Sequence, residues 1–146
     1  MQYTRTRIIW QKERLLLIDF KSIHHISLSV TDLKQSKHFY GEILGLKEIN
    51  RPNFDFPGAW YEIGNQQLHL IVYQDSETLR NNQQVETKDG HFAITVNDYY
   101  KTLAFLKEKG VRVTENAQCK SGFAQPFCTA PDNTRIEFNV QQASLN

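Results

Sequence analysis

The chain has 146 residues, of which 40% are hydrophobic and 23% charged, with 17 Lys plus Arg against 16 Asp plus Glu. This is an ordinary globular composition, enough for one compact domain or two small units sharing a core. A balance of +1 gives no electrostatic case for nucleic acid or an anionic membrane, and no apolar run reaches the roughly 18 residues that span a bilayer. The two cysteines, Cys119 and Cys128, make no disulfide framework and fit a reducing cytoplasm.

Residues 1–20 read as an N-terminal extension. Basic residues precede the run LLLI, but Asp19 ends that run after four residues and no small-residue cleavage site follows, so it does not read as a secretory leader. A natural start near Leu15 fits equally, because the pattern that follows needs nothing upstream of Asp19. Residues 23–30 alternate: Ile26, Leu28 and Val30 on one face, His25, Ser27 and Ser29 on the other. This predicts a strand with a core face and a polar face. Asp32 is placed to cap a helix carrying Leu33, Phe39, Tyr40, Ile43 and Leu44, with Gly45 as its stop. A strand near 47–50, the loop RPNFDFPGAW, a strand over 60–63, a turn at Gly64-Asn65 and an alternating strand over 68–73 complete the first unit. In that last strand His69, Ile71 and Tyr73 share the face opposite Leu68, Leu70 and Val72.

The polar stretch 74–88 reads as a linker, and the plan then repeats. His91 answers His25 at an offset of 66, as do Val96 for Val30, Asp98 for Asp32, Thr102 for Ser36 and Phe105 for Phe39. The strand 92–96 puts His91, Ala93 and Thr95 on its polar face. A helix capped by Asp98 stops at Gly110; a strand over 111–114, a loop over 117–125, a strand over 127–129 and the turn Asp132-Asn133 lead into the strand 136–140. There RIEFNV echoes QLHLIV, so Glu137 answers His69 and shares its face with Asn139. Self-similarity of this kind means two related units of about 50–60 residues. The reading is α+β: two βαβββ modules related by a pseudo-two-fold axis and forming an open, cup-shaped mixed sheet. The boundaries are 21–80 for the first module, 81–88 for the linker, 89–140 for the second module and 141–146 for a polar tail.

Three histidines and one glutamate thus occupy equivalent strand positions on equivalent faces. If the open faces meet, His25, His69, His91 and Glu137 can converge on one cation. Imidazole nitrogen and carboxylate oxygen suit a borderline divalent ion: zinc, nickel, cobalt, manganese or ferrous iron. Ser27, Ser29, Ile71, Tyr73, Ala93, Thr95 and Asn139 would line the cup, and Trp60 of FDFPGAW would add to its wall. His24, on the core side of its strand, and His38, on the helix, have no role. Arg51, Lys120 and Arg135 could bind an anionic substrate, though they read first as surface charges, and Cys128 reads as a small buried hydrophobe.

The segments HHISLSVTDLKQSKHFYGEILGL, DGHFAITV and TAPDNTRIEFNV resemble the vicinal oxygen chelate superfamily over residues 21–140. That superfamily includes glyoxalase I, methylmalonyl-CoA epimerase, fosfomycin-resistance thiol transferases and extradiol dioxygenases. The resemblance implies a metal-holding cup, a small-molecule substrate and a homodimer. By position His25, His91 and Glu137 match the most widely shared ligands. His69 stands where glyoxalase I has a glutamate and the epimerase a glutamine. A neutral imidazole there leaves Glu137 as the only carboxylate base among the four. Ser29 replaces an arginine that holds a glutathione carboxylate in bacterial glyoxalase I, and Tyr73 replaces an asparagine, so glutathione specificity is not implied. The closing turn APDN stands where many relatives carry DPDG.

The expected activity is a divalent-metal-dependent, glyoxalase-like lyase or isomerase acting on a small carbonyl compound or its thiol adduct, with Glu137 moving the proton. One alternative is an extradiol-type non-haem iron dioxygenase using His25, His91 and Glu137. The other is a metal-free protein of the same fold that binds a small molecule or drug.

Overall fold

The computed structural model describes residues 18–117 and 119–145. Nearly all of the extension expected over 1–20 therefore lies outside the described residues. The elements run β1 (His25–Val30), α1 (Leu33–Lys37, continued as a π-helix over His38–Ile43), β2 (Lys47–Ile49), β3 (Gly58–Ile63) and β4 (Gln66–Val72). The second half runs β5 (Phe92–Thr95), α2 (Tyr99–Glu108), β6 (Val113–Thr114), β7 (Phe123–Ala124), β8 (Phe127–Thr129) and β9 (Arg135–Gln141). Two open sheets result, ordered β1-β4-β3-β2 and β5-β9-β8-β6, with β7 added on β9.

The two halves share one construction. β1 runs parallel to β4 with Ser27 opposite His69, and β5 runs parallel to β9 with Ala93 opposite Glu137. Each helix is capped by an aspartate, as its sequence predicts: Asp32 Oδ1 accepts from Gln35 N at 2.9 Å and Asp98 Oδ1 from Lys101 N at 2.9 Å. Gly45 (φ 72°) and Gly110 (φ 71°) follow the helices in the left-handed region, where a side chain would be strained.

The alternating residues make one core that spans both halves. Val30, Tyr40, Ala59, Tyr61, Leu68 and Leu70 pack with Leu106, Cys128, Ala130, Ile136 and Phe138. Polar bonds join the halves as well. Thr31 donates its N–H (2.9 Å) and its hydroxyl (2.5 Å) to the Asp132 carboxylate. Asp132 and Asn133 both sit at φ 57°, the left-handed turn that Asx residues tolerate, so APDN makes the turn without a glycine.

Several local expectations are corrected. The first helix changes to a π-helix at His38, where Leu44 N–H reaches Phe39 O at 2.9 Å, five residues back. β3 begins two residues before Trp60, and Tyr73 falls outside β4. The loop over 117–125 contains β7. The expected tail begins inside β9 and continues as a 3₁₀ turn, Gln142–Leu145. The Gln142 side chain anchors that turn by donating to the carbonyls of Ala117, Cys119 and Phe123 at 3.3, 3.0 and 3.1 Å.

Candidate metal centre

The parallel pairing of β1 and β4 sets His25 and His69 side by side. Their rings stack with centroids 4.1 Å apart and planes at 16°. Trp60 lies directly across the β3–β4 ladder from His69 and stacks on its other face at 3.9 Å and 5°. His69 is therefore held between two rings with only its edge free, and it is 6% exposed. Burial lowers its pKa, and His25 and His24 lower it further, so neutral imidazole is favoured. Its Nε2 is 2.8 Å from Gln67 Oε1. A carboxamide oxygen only accepts, so Nε2 carries the proton and Nδ1 keeps its lone pair.

The aromatic series continues outward from Trp60. Phe54 lies 6.2 Å from Trp60 and stacks on Phe56 at 5.0 Å, and Arg51 sits over both phenyl rings at 5.0 and 5.4 Å. Trp60 thus bears on the candidate ligand His69 itself. His24 does not face the core: it is exposed, and its Nδ1 lies 2.9 Å from His25 Nδ1. His38 meets only Glu42 one helical turn away, at 2.6 Å.

In the other half, His91 Nε2 is 3.1 Å from Glu137 Oε2 and His91 Nδ1 is 2.7 Å from the Asp89 carbonyl. Phe127 meets the His91 ring edge-on at 5.2 Å. Glu137 is 4% exposed. Its Oε1 accepts from both Gln125 Nε2 and Asn139 Nδ2, each at 2.9 Å, which leaves Oε2 for the His91 side. Asn139, expected to line the cup, binds the glutamate.

These contacts test whether the residues suit a metal. A neutral imidazole has one N–H, yet both nitrogens of His91 face oxygen acceptors. An ion pair with Glu137 satisfies that arrangement, and nitrogen beside carboxylate oxygen is also a donor pair that suits a borderline divalent ion. A ligand histidine whose other nitrogen donates to a carbonyl is also the usual outer arrangement of a metal site. The donors nevertheless fall into two pairs, His25 with His69 and His91 with Glu137. Among the described residues, no three His, Cys, Asp or Glu side chains gather where they could hold one ion.

Of the expected lining residues, Ser27 and Ser29 border a cavity of about 250 Å³ with Thr78, Arg80, His91 and Arg135. Ile71 is half-buried, opposite Ser29 and Gly58. Tyr73 is 54% exposed, and Ala93 and Thr95 are exposed on β5. Arg135, expected on the surface, is 1% exposed. The partners Gln67, Gln125 and the Asp89 carbonyl were not singled out by the repeat. Gln67 had one signal, its place two residues before His69 on the same strand face; Gln125 had none.

Two βαβββ halves, each presenting a donor pair at matching positions, define a glyoxalase-type scaffold. Residues 22–138 match the Glyoxalase/Bleomycin resistance protein/Dioxygenase superfamily, and the chain belongs to that superfamily. A lactoylglutathione lyase of Haemophilus influenzae is 30% identical over 131 residues, covering 80% of this chain and 90% of the relative. Glyoxylase I 4 of Arabidopsis thaliana is 27% identical over 119 residues, covering 80% and 68%. Among solved structures, the glyoxalase family protein from Enterococcus faecalis superposes with a TM-score of 0.64 at 24% identity, covering 83% of this chain and 98% of its own. None of the described helices is long and apolar enough to cross a membrane.

Proposed function

We propose that this protein is a divalent-metal-dependent lyase or isomerase of the glyoxalase type, acting on a small carbonyl compound or its thiol adduct. We further propose that it works as a homodimer in which His25 and His69 of one protomer meet His91 and Glu137 of the partner subunit. The observation that carries the reading is the sorting of the four donors into two pairs, one per half, with both nitrogens of His91 facing acceptors. A two-fold interface sets residue i against the partner's residue j and j against i, so a second copy would complete both half-sites at once.

A bound zinc, nickel, cobalt, manganese or ferrous ion would supply Lewis-acid stabilisation of the anion formed when a proton leaves the carbon beside a carbonyl. The chain's own residues do the rest. Glu137 is the only carboxylate of the four, and its Oε2 is the atom placed to take that proton and return it. Gln125 and Asn139 fix the carboxylate by its other oxygen. Gln67 sets the tautomer of His69, and the Trp60 ring excludes water from one face of that imidazole. Ser27 and Ser29 offer hydroxyls where a glutathione-binding arginine is absent, which supports a substrate other than the glutathione adduct.

The test uses two single variants, His69→Ala and Glu137→Ala. Each alone loses stoichiometric cobalt binding. After unfolding and refolding together, random reassortment restores about a quarter of the sites, because half the dimers then hold one intact site. No restored sites would rule out a centre shared between chains. The reaction class is tested with metal-loaded protein, methylglyoxal and several thiols in deuterated buffer. Failure to exchange the substrate proton with every thiol would overturn it, and dioxygen uptake with a catechol would establish the dioxygenase alternative.

A further inference from the structure

Arg135 is a buried guanidinium without an ion-pair partner. It is 1% exposed, and among the described residues it makes no salt bridge. Its bonds go to neutral acceptors: the carbonyls of Asn133 and Gln84, and the carbonyl (3.1 Å) and side-chain oxygen (3.3 Å) of Asn82. Its Nε–H has no partner among the described residues. A guanidinium withdrawn from water is costly to leave uncompensated.

The cavity of about 250 Å³ that Arg135 borders has the complementary features. Taking about 30 Å³ per water, it has room for a small acid. Arg80 stands on its wall, with Nη1 3.4 Å from Asp89 Oδ2. Ser27 and Ser29 border it from β1, whose other edge has no partner strand among the described residues, and their hydroxyls have no hydrogen-bond partner among those residues either. The β1 carbonyls of His24 and Val30 are taken by Gln67 and Tyr73 at 3.1 Å each. By alternation, the backbone groups of Ser27 and Ser29 therefore face away from β4. Asp89 offsets Arg80, and Glu137 belongs with His91 and, on the reading above, with the metal. One positive charge is left over, buried behind the wall of a cavity supplied with hydroxyl and amide donors.

We propose that this cavity binds a small oxyanion, the carboxylate or phosphate group of the substrate or of a free acid, between Arg80 and the open edge of β1, with the buried charge of Arg135 acting on it through the wall. Because the cavity also reaches His91, an anion held there would anchor a substrate beside the proposed metal centre; only this last point rests on the proposed function.

The test is made on the full chain stripped of metal with a chelator. Thermal unfolding is followed with increasing inorganic phosphate or acetate, against sodium chloride at equal ionic strength. A saturable rise in Tm above the chloride control is expected, with phosphate the stronger ligand if the natural group is a phosphate and acetate if it is a carboxylate. Arg80→Met should weaken the apparent affinity roughly tenfold or more. Ser29→Asp, which places a like charge in the wall, should abolish the effect without disturbing the core. Equal shifts in chloride, or unchanged shifts in both variants, would overturn the proposal. Cobalt titration of the same samples separates the two readings: intact metal binding without anion binding removes only the cavity site, and anion binding without metal binding removes only the metal centre.

Discussion

Gln125 donates its side-chain amide to Oε1 of Glu137 at 2.9 Å, the oxygen that Asn139 also reaches. Two donors on one carboxylate oxygen orient the other toward His91. Outer partners of this kind carry much of a metal site's affinity, and losing one typically costs 10–100-fold. Gln125→Ala should therefore weaken cobalt or zinc binding by about that factor while leaving the fold intact, as read by competition with a chromophoric chelator. Gln125→Glu should be worse, because it sets a second carboxylate against the first. Wild-type affinity in both variants would show that the amide does not position Glu137.

His69 gives the protein a pH dependence with a defined sign. Its pKa in the folded state lies below the usual value, through burial and through His25 and His24. Below about pH 6.5 the unfolded chain takes up this proton before the folded one does. The stability contributed by a neutral, stacked His69 is thus present above that pH and is lost as pH falls through the depressed folded value. Metal-free protein should show a lower urea midpoint at about pH 5.5 than at about 7.5, and His69→Gln should reduce the difference. An unchanged difference in the variant would assign the acid sensitivity to other groups.

The fold was legible because its signals are periodic. The alternation around Ile26, Leu28 and Val30, the Asp32 and Asp98 caps and the glycine stops recur at a nearly constant offset, and each marks an element that exists. The strand and face of His25, His69, His91 and Glu137 were legible for the same reason, because a repeat fixes both; their sorting into His25 with His69 and His91 with Glu137 was not. What the repeat does not fix is the distance between halves, nor whether the donors meet within one chain or between two, and in the fold they lie as two pairs. Nor does it report contacts made by irregular segments. Gln125 lies between β7 and β8 and reaches Glu137 by loop geometry alone. Arg135 looks like a surface charge because the sequence does not show that carbonyls from residues 82–84 fold over it.

Gly58 is where the β3–β4 ladder can be tested without touching a donor. A Cβ there would stand 2.3 Å from the Leu70 carbonyl oxygen, so the backbone of one strand must move. Gly58→Ala should cost about 1–3 kcal/mol, as overpacking does. It should also disturb the Trp60–His69 stack two residues away and alter tryptophan fluorescence and metal affinity together. Gly64→Ala is the control: its Cβ meets nothing within 4 Å but its φ is +58°. It should lower stability by about 1 kcal/mol and leave metal affinity unchanged. Equal behaviour of the two variants would show that the ladder at Gly58 is loose enough to absorb a methyl group.

The two cysteines should differ sharply in reactivity, for reasons the fold supplies. Cys128 is fully buried in the shared core on β8, and burial pushes its thiol up to about 12. Only the thiolate attacks a disulfide reagent, so Cys128 is silent at neutral pH for want of both thiolate and access. Cys119 is half-buried in the segment before β7, and hydrogen bonds from Ser121 lower its thiol below the ordinary range. In native protein, an aromatic disulfide reagent should release one equivalent rapidly. The second should appear only at the rate of global unfolding, and both should appear at once in urea. Cys119→Ser should abolish the fast phase and leave the slow one unchanged. A fast second equivalent in folded protein would mean that the core joining the two halves opens locally, and the packing around Ile136 and Phe138 would then be weaker than their burial implies.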